Sequence, residues 1–184
     1  MIGVNRIDRA EYRRARMAGD TWFFTVNRSE RRGNRLLLDR IDTLRATLKE
    51  VRERHPFRTD AIVALPDHLH CVWTLPPGDA DFSTRWGLIK SRFSRALPHA
   101  ERRSSSRAKR GDRGIWQRRF GEHLIANEQD LRRHIDYIHW NPVKHGWVRC
   151  VADWPYSSFH KYVERGIYPR NWGGGDPVNI AVRE

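Results

Sequence analysis

The 184-residue sequence contains only two cysteines, Cys71 and Cys150, and no CxxC motif. Such a pair cannot supply the disulfide framework that stabilises many small secreted domains, so we expect reduced thiols. No apolar run approaches the roughly 20 residues that a membrane-spanning helix needs. The N-terminal residues 1–20 are polar and basic, without the apolar segment of a secretory signal. These absences exclude a secreted disulfide scaffold and a helical membrane protein, and predict a cytoplasmic protein.

Acidic residues are scarce relative to basic ones. The chain has 35 lysines and arginines against 22 aspartates and glutamates, a formal net charge of +13. This excess favours an extended polyanion as partner, because neutralised phosphates release their counterions. A basic protein without a nucleic-acid partner remains the alternative on charge alone, and charge says nothing about chemistry.

Apolar periodicity predicts four strands and three helices, in the order strand, helix, strand, strand, helix, strand, helix. The predicted strands are Thr21–Arg28, Phe57–Pro66, His68–Leu75 and a segment within Gly114–Ile125. The predicted helices are Arg35–His55, Phe82–Leu97 and Asn127–Asn141, the last ended by Pro142. This order indicates an α+β, ferredoxin-like split βαβ fold: a four-stranded antiparallel sheet with helices on one face, an added C-terminal helix and a tail.

The triplet His68-Leu69-His70 lies within the third predicted strand. Alternate residues of a strand face the same way, so the two imidazoles project side by side while Leu69 and Cys71 point into the core. Imidazole nitrogen is the commonest metal ligand in proteins. Histidine pairs also occur on strand faces without a metal, so the triplet alone leaves both interpretations open.

Tyr137 and Asn141 are four residues apart and share one face of the third helix. Pro142 disfavours helical geometry at Asn141 and predicts that this residue lies at the helix end. The amide oxygen of Asn141 is a hard ligand that, with His68 and His70, would suit Mg²⁺ or Mn²⁺ in a catalytic site with open positions. A phenol beside such an ion can attack a phosphodiester and form a covalent phosphotyrosine. The alternatives are a core tyrosine and a helix-capping asparagine.

The HLH triplet, the segment YIHWNPVKHGWV and the segment WPYSSFHKYVERGIYP together resemble the REP-associated tyrosine transposases. That family is a branch of the single-tyrosine HUH transposases, named for histidine, hydrophobic residue, histidine, and the resemblance covers residues 21–172. It implies the ferredoxin-like fold, Tyr137 as the nucleophile that forms a 5′-phosphotyrosine and frees a 3′-OH, and three ligands for Mg²⁺ or Mn²⁺: His68, His70 and Asn141.

The resemblance also implies a function. A member of this family is a metal-dependent endonuclease and strand transferase that cleaves and rejoins single-stranded DNA bearing hairpins of the REP palindrome type. Residues 21–145 would be the HUH catalytic domain, residues 1–20 a basic arm, and residues 146–184 an appendage packed on the core with a flexible tail. Related transposases dimerise and complete each other's sites, so both a monomer and a homodimer stay open. The alternatives are a non-catalytic nucleic-acid-binding module and a metal hydrolase that uses activated water.

Two basic segments, residues 28–35 and 101–114, are candidates for contact with DNA phosphates. Their candidate side chains are Arg28, Arg31, Arg32, Arg35, Arg102, Arg103, Arg107, Lys109 and Arg110. Further polar side chains flank the predicted site without an assigned role: Glu122, His123, His134, His139 and His145.

Overall fold

The computed structural model describes residues 20–30, 33–98 and 113–173. Its strands are β1 (Thr21–Asn27), β2 (Arg58–Ala64), β3 (His68–Thr74) and β4 (Gly121–Leu124). Its helices are α1 (Leu36–Asp39), α2 (Ile41–Arg54), α3 (Phe82–Arg95), α4 (Glu128–Lys144) and α5 (Phe159–Glu164), with a 3₁₀ turn at Val151–Asp153. Residues 1–19 of the expected basic arm and residues 174–184 of the expected tail lie outside the described residues.

The four strands form one sheet in the order β2-β3-β1-β4, and each neighbouring pair is antiparallel. This is the strand order of a ferredoxin-like fold, so the predicted α+β architecture is confirmed. The strands β3 and β1 are central, with Cys71 opposite Phe24 and His70 opposite Thr25 in the register. The triplet therefore lies on a strand that is hydrogen-bonded on both sides, which holds its backbone rigidly.

The two faces of the sheet are covered by different helices. On one face, Trp73 of β3 stacks on Trp86 of α3 with ring centroids 4.2 Å apart. On the opposite face, Phe23 of β1 and His70 of β3 meet Tyr137 of α4. The expectation that the helices share one face was therefore wrong for α4. The physical reason is that β1 and β3 are buried along most of their length, so both of their faces need a covering layer.

Two helix boundaries differ from the sequence prediction. The first predicted helix is divided at Arg40, where φ is −122°, into α1 and α2. The prediction that Pro142 ends the third helix was wrong, because α4 continues to Lys144. A proline inside a helix removes one hydrogen bond and crowds the carbonyl of the preceding turn, but it does not prevent later residues from continuing the helix. The following turn is still closed, since the N–H of His145 donates to the carbonyl oxygen of Asn141 at 3.0 Å. The side chain of Asn141 therefore projects from within a helix.

The segment after α4 covers the free edge of β2. The N–H of Ala64 donates to the carbonyl oxygen of Tyr156 at 2.9 Å. The N–H of Ser158 donates to the carbonyl oxygen of Ile62 at 2.8 Å. The hydroxyl of Ser158 in turn accepts from the N–H of Ile62. Unpaired edge strands invite pairing with other chains, and this segment satisfies the backbone groups of β2 within the molecule.

Candidate active site

The histidine pair of β3 is buried between the sheet and α4. His68 and His70 project from the same face, with ring centroids 4.9 Å apart and ring planes nearly perpendicular. Leu69, between them, is fully buried on the face that packs against α3. The side-by-side arrangement predicted from strand alternation is present, but the pair lies beneath a helix rather than on an open surface.

Each of the two imidazoles is oriented by a hydrogen bond at its Nδ1 atom. Nδ1 of His68 donates to the carboxylate of Asp67 at 2.7 Å, and Nδ1 of His70 is 2.9 Å from the hydroxyl of Thr25. The carboxylate of Asp67 can only accept, so Nδ1 of His68 is protonated and its Nε2 carries the lone pair, and the hydroxyl of Thr25 can accept from Nδ1 of His70 in the same way. Histidine ligands of metals commonly have this outer hydrogen bond, which sets the tautomer and the ring orientation. His68 and His70 therefore each have the Nδ1 hydrogen bond that histidine ligands of metals commonly have.

Tyr137 of α4 lies against this pair and contacts a lysine two turns further along the helix. Its ring meets that of His70 edge to face at 5.4 Å, and the residue is 1% exposed. Nζ of Lys144 donates a hydrogen bond of 2.8 Å to the phenol oxygen and lies 4.6 Å from the ring centroid. Partial burial lowers the pKa of Lys144. A cation at this position stabilises negative charge on the phenol oxygen.

Asn141 lies one helical turn after Tyr137 and one turn before His145, on the same face of α4. Tyr137 contacts His70, and the ring of His145 lies 5.3 Å from that of His68, so Asn141 lies along α4 between two residues that contact the histidine pair. Asn141 is fully buried, and within the described residues neither its amide oxygen nor its amide nitrogen has a hydrogen-bond partner. A buried amide without partners is costly, and such a group at a candidate metal site fits a ligand role.

The other histidines are placed in different surroundings. His139 is buried on the side of α4 that faces α5, where Nε2 lies 2.9 Å from the hydroxyl of Ser158, and burial lowers its pKa to about 3. His123 shares the sheet face of His70 by way of Phe23, whereas the adjacent Glu122 belongs to the opposite face. Sequence reasoning named His139 and His123 but had no signal for their contacts, because both depend on pairing between distant segments.

His134 forms a cluster with His123 and Asp130, in which one ligand atom from each residue lies within 4.8 Å of the others. His134 is buried, and desolvation lowers its pKa. Asp130 was not identified from the sequence, where it reads only as an acidic residue in the first turn of a helix. The described residues thus contain a group of histidine and aspartate side chains that could hold a metal ion.

The candidate DNA-contacting residues are mostly outside the described ranges, namely Arg31, Arg32, Arg102, Arg103, Arg107, Lys109 and Arg110. Arg35 is exposed and lines an open cleft of about 390 Å³ together with Arg28 and Arg40. Arg28 itself is buried, and its guanidinium donates to the carbonyl oxygen of Ile115 and to the side chain of Asn34. It therefore supports the wall of this cleft, and Arg35 presents its charge to solvent.

A scan against protein-family models found no match for this chain. Whole-chain comparison is decisive. A REP-associated tyrosine transposase of Escherichia coli is 49% identical over 165 residues, which span 90% of this chain and 92% of that protein. The chain belongs to the REP-associated tyrosine transposase family. A Haemophilus influenzae relative assigned to the same family is 45% identical over 172 residues, spanning 93% of this chain and 97% of its own length.

The fold agrees with this REP-associated tyrosine transposase assignment. A solved structure of a REP-associated tyrosine transposase bound to a REP hairpin superimposes with a TM-score of 0.76 at 45% sequence identity, covering 94% of this chain and 97% of that one. Membership of a transposase family makes the chain an enzyme and implies a divalent metal. Among the described residues, no helix combines the length and the apolar character needed to cross a bilayer.

Proposed function

We propose that this transposase cleaves and rejoins hairpin-bearing single-stranded DNA through a 5′-phosphotyrosine on Tyr137, in a reaction that depends on Mg²⁺ or Mn²⁺. The observation that carries this proposal is the position of the Tyr137 phenol between His70 and Lys144, one helical turn from the buried amide of Asn141. The relative solved with a REP hairpin supports the choice of substrate. All of these residues lie within 21–145, to which we assign the catalytic activity.

His68, His70 and Asn141 would hold the divalent ion. The two imidazoles have Nδ1 engaged by Asp67 and Thr25 and present Nε2, and the amide of Asn141 is buried without a partner among the described residues. Two nitrogen ligands and one oxygen ligand from three residues leave coordination positions for phosphate oxygens and water. When bound, the ion polarises the scissile phosphodiester and makes its phosphorus a better electrophile.

Tyr137 supplies the nucleophile. The phenol releases its proton to solvent and its oxygen forms a bond to phosphorus, while the bond from phosphorus to the 3′ oxygen breaks and that oxygen takes up a proton from solvent to leave as the free 3′-OH. Lys144 stabilises the phenolate form through the hydrogen bond that it already donates. The reverse attack by a 3′-OH restores the phosphodiester and the free phenol, so joining needs no external energy source.

Access to the phenol runs past Lys144. The Tyr137 side chain is buried, whereas Lys144 is at the surface and covers its ring. An incoming phosphate therefore meets the ammonium group of Lys144 before it reaches the phenol oxygen. The tyrosine, the histidine pair and the asparagine all belong to one chain, which supports a reaction carried out by a single copy.

A covalent adduct tests the proposal. The protein is incubated with a labelled hairpin oligonucleotide and Mn²⁺, and denaturing gels are examined for a protein–DNA adduct. We expect the adduct to disappear with Tyr137→Phe and with a chelator, and to persist with Tyr156→Phe, a control tyrosine in the segment along β2. Cleavage that survives Tyr137→Phe would instead support a metal hydrolase with activated water, and binding without cleavage a non-catalytic module.

A further inference from the structure

A second pair of histidines lies on the same face of the sheet as His68 and His70, on the far side of Phe23. His123 of β4 is opposite Phe23 of β1 in the register, and His134 of α4 packs above them. The Phe23 ring lies 5.4 Å from that of His70 and 4.7 Å from that of His134. An aromatic ring thus separates the two pairs, and the second pair is not part of the site formed around His68 and His70.

Asp130 connects the two histidines of this second pair. Nε2 of His123 lies 2.9 Å from one carboxylate oxygen of Asp130, and Nδ1 of His134 lies 3.2 Å from the other. The two imidazole rings stack on each other, with centroids 4.6 Å apart and planes 19° from parallel. Ligand atoms of a tetrahedral ion with bonds of about 2.1 Å lie about 3.4 Å apart, and the ligand atoms of this cluster lie within 4.8 Å of one another.

The carboxylate is held in place by the start of α4. The N–H of Ala126 donates to Asp130 at 2.9 Å, and the N–H of Asp130 donates to the side chain of Asn127, the N-cap residue. Nδ1 of His134 also lies 2.8 Å from the carbonyl oxygen of Asp130. One ligand atom from each of the three side chains, which belong to two elements, lies within 4.8 Å of the other two. Two nitrogen donors and one carboxylate oxygen are a donor set that suits Zn²⁺ far better than Mg²⁺.

We propose that His123, Asp130 and His134 form a second metal site, which binds Zn²⁺ with its remaining position open to water. His123 is on the sheet, and the other two ligands are on α4. The ion therefore ties the edge strand β4 to the first two turns of the helix that carries Tyr137. With the side chain of His123 43% exposed, solvent and metal reach the site from the edge of the sheet. The site does not depend on the proposed DNA chemistry.

Zinc binding by a chain without the first histidine pair tests this site. The full-length protein carrying His68→Ala and His70→Ala is dialysed against Zn²⁺, and bound metal is measured by mass spectrometry. We expect one equivalent to be retained, and a loss of affinity of at least about 10-fold when His123→Ala is added. His123 is partly exposed, so this change leaves the core intact. His160→Ala on α5 is the matched control and is expected to retain the zinc.

Thermal unfolding of the same variants supplies an independent readout. An ion that binds only the native state raises the melting temperature, so Zn²⁺ should stabilise the double variant by several degrees and leave the triple variant unchanged. Absence of zinc in the double variant, or equal binding after His123→Ala, would overturn the proposal. The cluster would then serve only to stabilise the fold through its hydrogen bonds. A missing DNA adduct in the wild-type protein would count against the proposed function alone, because zinc binding is measured without DNA.

Discussion

Lys144 donates a hydrogen bond of 2.8 Å to the phenol oxygen of Tyr137, although the two residues are separated by two turns of α4. The same ammonium nitrogen lies 4.6 Å from the centroid of the Tyr137 ring. A surface lysine that folds back over a buried tyrosine is positioned both to stabilise a phenolate and to meet a phosphate. This relationship makes Lys144 a further candidate for the catalytic machinery of the family.

Replacement of Lys144 by methionine should therefore slow the chemical step. Methionine keeps an unbranched chain over the tyrosine ring but cannot donate, and loss of one such donor is expected to lower the single-turnover rate of adduct formation by about 100-fold. The affinity for a hairpin oligonucleotide should change much less. Lys144→Arg should restore part of the rate, and Lys161→Met on α5 is the control. A fall in affinity with an unchanged rate would assign Lys144 to DNA binding only.

Asn141→Leu should separate stability from activity. The buried amide has no hydrogen-bond partner among the described residues, so an apolar side chain of similar size should raise the free energy of unfolding by about 1–2 kcal/mol. Adduct formation should be lost because a proposed metal ligand is removed. Urea denaturation measures the stability, and the adduct assay measures the activity. Asn141→Asp is the comparison variant, because it keeps an oxygen atom at this position. A less stable Asn141→Leu protein would show that the amide stabilises the fold.

Thr25→Val should weaken metal binding at the proposed site without removing a proposed ligand. The hydroxyl of Thr25 lies 2.9 Å from Nδ1 of His70, and its loss frees the ring to rotate or to change tautomer. We expect the apparent affinity for Mn²⁺ in the adduct assay to fall by about 10-fold. Thr21→Val on the same strand removes a hydroxyl contact with Thr74 and serves as the control. Equal Mn²⁺ titrations for the two variants would contradict the positioning role of Thr25.

His139 should make the protein less stable in mild acid. Burial lowers the pKa of its imidazole to about 3 in the folded protein, below the ordinary value of 6.5 for a solvated histidine. Between these values the unfolded chain binds a proton that the folded chain does not. The His139 contribution therefore lowers the free energy of unfolding by about 1.4 kcal/mol per pH unit as the pH falls from 6.5 towards 3.

The measurement is urea denaturation at pH 7 and pH 5 for the wild-type protein and for His139→Gln. The loss of stability between the two pH values should be smaller in His139→Gln, because the buried imidazole is absent. His55→Gln, at the end of α2, is the control variant and should behave as the wild type does. An identical loss in all three proteins would show that carboxylates alone govern the acid sensitivity.

Much of the candidate site was predictable because it depends on local periodicity. Strand alternation predicts that His68 and His70 share a face, and helical spacing predicts the same for Tyr137 and Asn141. The end of α4 was not predictable from Pro142. Whether a helix continues past a proline depends on whether packing of the buried turn offsets the free-energy cost of the proline. Likewise, the apolar residues of β1 do not reveal that a helix covers each face of the sheet.

The sequence by itself determined the order of the four strands and of the three long helices, the two shared faces and the family. The element order and the shared faces follow from side-chain periods of two and of 3.6 residues, which act over a few neighbours, and the family follows from the resemblance carried by the HLH and YIHWNPVKHGWV motifs. Only the tertiary structure decided that α4 lies over His68 and His70 and that His123 meets His134, because the segments involved are far apart in the chain. The tertiary structure also decided the hydrogen bond from Lys144 to Tyr137, because the conformation of a flexible lysine side chain depends on the packed surface around it.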